Sequence, residues 1–204
     1  MNSLQQAVDD LFRIAVVEGK STSTRRLKKL ADFCVEQLER RGLRGVEAEA
    51  PIPGAGRDKL WDVAWKYGGK YRLGISLKSI LKNLGGTVPN RIDDLIGETA
   101  NAQLSSPEIV IGYIVVFNVE DDSLSARYGM TWSELMHNRL TSLSGRRAPS
   151  WATGMIEDFI LINVDFGSSS RVLSVSQPLS AFFDGLVEQI ALRNPEAIDS
   201  PNDR

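Results

Sequence analysis

Three residues in the stretch LWDVAWKYGGKYRLGISLKS (60–79) have types and spacing suited to chemistry: Asp62, Ser76 and Lys78. The stretch reads as two strands joined by a tight turn, with an acid in the first strand and a lysine near the end of the second. An aspartate and a second acid can bind Mg²⁺, which polarises a phosphate and lowers the pKa of an attacking water. A neighbouring lysine orients that water or neutralises the developing charge. Phosphodiester hydrolysis needs these parts and no histidine. The chain has one histidine, His137, and one cysteine, Cys34. Multi-histidine zinc sites and thiolate clusters are therefore excluded. Any metal should be a hard ion held by oxygen ligands.

The flanking patterns predict the elements that must position these groups. Residues 60–67 alternate, with Leu60, Asp62, Ala64 and Lys66 on one side and Trp61, Val63, Trp65 and Tyr67 on the other. Gly68-Gly69 is a hairpin turn signal. In the return strand, 71–78, Tyr71, Leu73, Ile75 and Leu77 share one face, and Ser76 and Lys78 the other. LKNLGGTVP (81–89) reads as a loop on its Gly and Pro content. Asn90 then caps a helix over 91–104 with Ile92, Leu95, Ile96 and Thr99 facing the core. EIVIGYIVVF (108–117) is nearly all apolar and predicts a central strand covered on both faces. Upstream, helical spacing marks 3–18 and a second helix reaching Arg41, followed by a short strand over 46–50 and a loop over 51–58. Downstream come a helix near 131–142, a loop over 145–150, a strand over 158–165, a helix over 178–193 and a polar tail. A hairpin followed by helical crossovers predicts an α/β fold with a mixed β-sheet flanked by helices.

Composition sets the wider bounds. With 204 residues, 42% hydrophobic and 25% charged, the chain fits one soluble domain. No apolar run approaches the roughly 18 residues of a membrane helix. The polar start MNSLQQAVDD lacks a signal pattern, and the lone cysteine suits a cytoplasmic setting. The net charge of −2 does not advertise nucleic acid. Basic residues nonetheless cluster, at Arg25, Arg26, Lys28 and Lys29 and again at Lys66, Lys70, Arg72, Lys78 and Lys82. Each run reads equally as a phosphate footprint or a solvated face.

The order of elements over 25–117 and the D-x13-S-x-K arrangement of Asp62, Ser76 and Lys78 resemble the PD-(D/E)xK nuclease superfamily, home of most type II restriction endonucleases. The resemblance implies a restriction endonuclease-like α/β fold in a single nuclease-like domain, 1–204. Its core would span about 25–117, with a helical N-terminus and C-terminal recognition or dimerisation elements. It also implies a Mg²⁺-dependent endodeoxyribonuclease of the type II restriction kind, or a related defence or repair nuclease. The partner would be double-stranded DNA, with no membrane, and a homodimer would supply two active sites.

Two departures from the superfamily pattern stand out. Trp61 precedes Asp62 where a proline is usual, and Ser76 holds the place of the second acid. In the S-x-K subgroup the acid has moved to the following helix. Here Glu98 is the first candidate and Asp94 the second, on one face with Arg91. The same three residues also read as a surface ion-pair ladder. By the resemblance, Asp62 with Glu98 or Asp94 would bind metal, Lys78 would position water, and Ser76 would hydrogen-bond water or phosphate. Lys82, Arg91, Arg146 and Arg147 would contact DNA. Asp58 is an alternative acid, and Glu36, Glu39 and Glu49 are possible supports. The loss of the acid at Ser76 also admits a catalytically inactive member of the fold that binds DNA or a protein partner.

Overall fold

The computed structural model describes residues 3–167 and 169–198. Helix α1 (Leu4–Phe12) starts at a capping box on Ser3 and runs into a π-helical turn over Arg13–Val17. A 3-10 turn (Thr24–Leu27) leads into α2 (Lys28–Glu39). Three antiparallel strands follow: β1 (Glu47–Ile52), β2 (Lys59–Tyr67) and β3 (Lys70–Ile80). Helix α3 (Leu84–Ser105) carries the chain to β4 (Val110–Asn118), which lies parallel to β3. A two-stranded ribbon, β5 (Leu124–Ser125) and β6 (Met130–Thr131), precedes α4 (Trp132–Leu143). Strand β7 (Asp158–Asp165) then pairs parallel to β4, and β8 (Arg171–Val175) closes the edge antiparallel. Helices α5 (Leu179–Arg193) and α6 (Pro195–Ile198) end the described chain.

The sheet is mixed, in the order β1-β2-β3-β4-β7-β8, with helices on both faces. One face packs Leu73, Ile75 and Leu77 of β3 against Leu30, Cys34 and Leu38 of α2 and Phe182 and Phe183 of α5. The other packs Tyr113, Val115 and Phe117 of β4 against Leu95 of α3 and Leu135 and Met136 of α4. All nine residues of β4 are buried, as its unbroken apolar run requires. Cys34 is fully buried and burial pushes its thiol pKa up, so it is a packing residue. Among the described residues no helix is long and apolar enough to cross a membrane.

Local signals mislead in four places. Helix α3 begins at Leu84, within the expected loop, and contains Pro89. Leu84 and Val88 are buried, and Gly85 lies so near Trp132 that a Cβ would stand 3.2 Å from its Cζ2. Packing against α4 thus outweighs the low helix propensity of this segment. Strand β1 extends through Pro51 and Ile52, which reads as loop in the sequence. Strand β8 is an edge strand of exposed and half-buried residues, too mixed to carry a clear alternation. Finally, Trp65 pairs with Leu73 but Lys66 pairs with Tyr71, leaving Arg72 as an extra residue. This bulge turns Tyr71 to the α3 side, away from Leu73 and Ile75. Of the polar tail, residues 199–204 lie outside the described residues.

Candidate active site

The site forms where the hairpin ladder ends. Strands β2 and β3 pair from the turn as far as Val63 and Ile75. Beyond that point the Leu77 N–H donates to Asp62 Oδ2 at 2.7 Å. The carboxylate takes the place of a backbone acceptor. Trp61 shows why the strands part. Its ring sits over Gly74, where a Cβ would meet Cε3 at 2.8 Å. Trp61 and Ala64 bury on the α3 side, whereas Val63 and Trp65 bury on the α2 side, so the expected alternation breaks at Asp62. On the other neighbour, Glu49 lies between the pairs Ala48–Val63 and Ala50–Trp61 and has a left-handed φ of 54°. Both strands are thus irregular at the level of Asp62.

Lys78 projects toward α3, and Glu98 on that helix meets it. Lys78 Nζ lies 3.4 Å from Glu98 Oε2. Lys59 Nζ, at the start of β2, donates to Glu98 Oε1 at 3.1 Å. Lys78 therefore pairs with Glu98 and not with Asp62. Burial pushes the Asp62 carboxyl pKa up from its ordinary value. The Leu77 amide and the Lys78 charge oppose that rise, and the Glu98 charge adds to it. Asp62 and Lys78 border a cleft of about 230 Å³, together with Arg26, Glu49, Trp61 and Arg91.

The two helix acids separate clearly. Asp94 is exposed, pairs with Arg91 at 2.8 Å and borders a different hollow with Thr87, Asn90 and Asp93. Glu98 is the acid brought to Lys78. Ser76 is 3% exposed and is not among the residues that line the cleft, so the contact with water or phosphate expected of it gives way to a packing role. Asp58 is exposed in the loop before β2. Glu36 pairs with Arg40 on α2, and neither Glu36 nor Glu39 borders the cleft. Glu49 alone of the three possible supports does so.

Of the residues expected on DNA, Lys82 and Arg147 are exposed and Arg91 is half-buried at the cleft. Arg146 is a correction. It is 2% exposed, lies 3.4 Å from Glu157 and donates to the carbonyls of Pro107, Ile109 and Ala152. A guanidinium held inside by carbonyls and a buried carboxylate cannot reach phosphate. Two basic residues, Arg26 at the cleft and Lys59 on Glu98, are not singled out by the sequence. Lys59 becomes relevant only through the position of α3, and Arg26 is visible only as one member of a basic run.

Among the described residues no group of three or more His, Cys, Asp or Glu is placed to hold a metal ion. Glu98 contacts Lys78, and the charges of both act on the Asp62 carboxylate. Mg²⁺ takes one or two carboxylates and keeps several waters. The donor set fits that chemistry provided Glu98 gives up a lysine contact. Comparison of the chain with protein-family models, curated proteins and solved structures finds no match in any of the three.

Proposed function

We propose that the chain is a Mg²⁺-dependent endodeoxyribonuclease of the type II restriction kind, or a related defence or repair nuclease, working in the cytoplasm as a homodimer on double-stranded DNA. The observation that carries this reading is the placement of Asp62 and Lys78 on one cleft from β2 and β3, with Glu98 of α3 in contact with Lys78. Asp62 and Glu98 would hold Mg²⁺, which when bound supplies a Lewis acid for the phosphate and a more acidic water. Asp62 is oriented by the Leu77 amide, so its carboxylate is fixed before any ligand arrives. Lys78 rests on Glu98 in this structure. Once Glu98 turns to another partner, the lysine ammonium is released to donate to a water or to a phosphoryl oxygen, where negative charge develops. Lys59 keeps hold of the other Glu98 oxygen and limits its swing.

Asp62→Ala and Lys78→Ala are the test. Each should abolish Mg²⁺-dependent cleavage of plasmid DNA while the circular dichroism spectrum stays unchanged. Full cleavage by both variants would sink the assignment. A second reading, a non-catalytic member of the same fold that binds DNA or a protein, is favoured by one observation: both Glu98 oxygens are occupied by lysines. Calorimetric titration with Mg²⁺ or Mn²⁺ separates the two. Heat that disappears in Asp62→Asn supports the nuclease, and no heat in either protein selects the binding module.

A further inference from the structure

The cleft beside Asp62 and Lys78 holds a pair of arginines that the cleavage chemistry does not use. Arg26 leaves the 3-10 turn before α2 and is half-buried. Its Nε donates to Ser79 Oγ at 3.1 Å and one Nη1 hydrogen to the Ser23 carbonyl at 2.7 Å. These bonds fix the side chain on the end of β3, and Nη2 takes part in neither. Among the described residues no carboxylate forms an ion pair with Arg26. Arg91, from the first half of α3, borders the same cleft. Its Nη1 pairs with Asp94 at 2.8 Å, but its Nε is buried without a partner.

Two guanidiniums that face one small space repel each other unless an anion lies between them. Burial lowers the Arg26 pKa first, and the Arg91 charge lowers it further, against the pull of Asp62. Glu49 and Asp62 also border the cleft, yet neither pairs directly with Arg26 or Arg91. The planar forks of arginine match the oxygens of phosphoryl and carboxylate groups, and two forks on one small cleft suit the three free oxygens of a phosphoryl group.

We infer that Arg26 and Arg91 form a phosphoryl-anion subsite in the cleft they share with Asp62 and Lys78. Identifying that phosphoryl group as part of a nucleic acid rests on the proposed function. The anion site itself does not.

The experiment is calorimetric titration of the full chain with inorganic phosphate, without divalent metal. Arg26→Gln and Arg91→Gln should each weaken binding by about tenfold or more, the loss of a charge-assisted contact. Lys29→Gln, an exposed change in the same basic run, should leave affinity unchanged. Arg26→Lys keeps the charge but removes the fork and should fall between, which preserves the test if Arg26→Gln does not fold. No binding of phosphate, or equal loss in Lys29→Gln, overturns the subsite. Either result leaves the plasmid assay on Asp62 and Lys78 to decide cleavage separately. A short oligonucleotide with and without a 5′-phosphate then assigns the source. Tighter binding of the phosphorylated form, lost in Arg26→Gln, indicates a chain-end phosphate, and equal binding indicates an internal diester.

Discussion

The molecule buries charge at two ends of its parallel strands and treats it differently. Toward the carboxyl end of β3, Asp62 accepts one amide and borders an open cleft, and Lys78 on the same cleft is engaged by Glu98. At the amino end of β4, Glu157 is closed in. It lies 2.6 Å from Arg193 Nη2 and 3.4 Å from Arg146 Nη1, and it accepts the Ile111 N–H. Trp151 covers the two guanidiniums, with Arg193 4.3 Å from its ring centre and Arg146 5.8 Å. Burial pushes both carboxyl pKa values up. For Glu157, Arg193, the Ile111 amide and Arg146 oppose it from inside the protein. For Asp62 the opposition comes from backbone amides and the single Lys78 charge, and the space beside it is open. A shifted carboxyl is therefore no mark of function by itself. What separates the two is whether the protein has already supplied the partners.

The comparison breaks most visibly in activity. Lys78→Ala should reduce DNA cleavage by about 10²–10⁴-fold, the usual worth of a group that handles a proton or a developing charge. Its urea midpoint should stay close to that of the parent. At the closed cluster the pattern reverses. Glu157→Ala strands two buried guanidiniums and should cost about 3–5 kcal/mol of unfolding free energy. A loss below about 1 kcal/mol in urea unfolding would place this cluster with ordinary surface pairs.

Asp62→Asn sharpens the contrast. Asparagine can still accept the Leu77 N–H through its side-chain oxygen, but it carries no charge. The raised Asp62 pKa means that the folded state holds this proton more tightly than the unfolded chain. The associated stability is complete below the unfolded carboxyl range and is lost as pH rises through the folded value. Removing the charge should raise the melting temperature at neutral pH by about 2–4 °C, and the gain should shrink as pH falls toward the unfolded value of about 3.9. Cleavage should be lost at the same time. A melting temperature that falls at neutral pH would show that the ionised carboxylate is net stabilising. The smallest effect belongs to Asp94→Asn, which should change stability by less than about 0.5 kcal/mol, as exposed pairs do, and keep cleavage, whereas Glu98→Gln should lose it. Equal loss in both would return Asp94 to the site.

The hairpin, the apolar β4 and the helical crossover were legible because each is written in neighbouring residues. Asp62 and Lys78 could be singled out because polar groups interrupt apolar strands there. The second acid was legible only as a choice between Glu98 and Asp94, since both lie on the same helix. Arg146 and Arg147 looked alike in GRRAPS, yet one is interior and the other exposed. Nothing within that loop distinguishes them, because Glu157 and Arg193 make the difference.

By itself, then, the sequence determined the periodicities that build a mixed sheet between helices, and it ruled out the histidine- and thiolate-rich metal sites. Only the tertiary structure decided that Glu98 meets Lys78 and Lys59, that β2 leaves β3 at Asp62, and that Arg26 and Arg91 share a cleft. The reason is physical. Backbone geometry is set by residues a few positions apart, whereas the energy of a charge depends on every dipole and charge around it. Those neighbours come from segments as distant as Lys59 and Glu98, or Arg26 and Ser79.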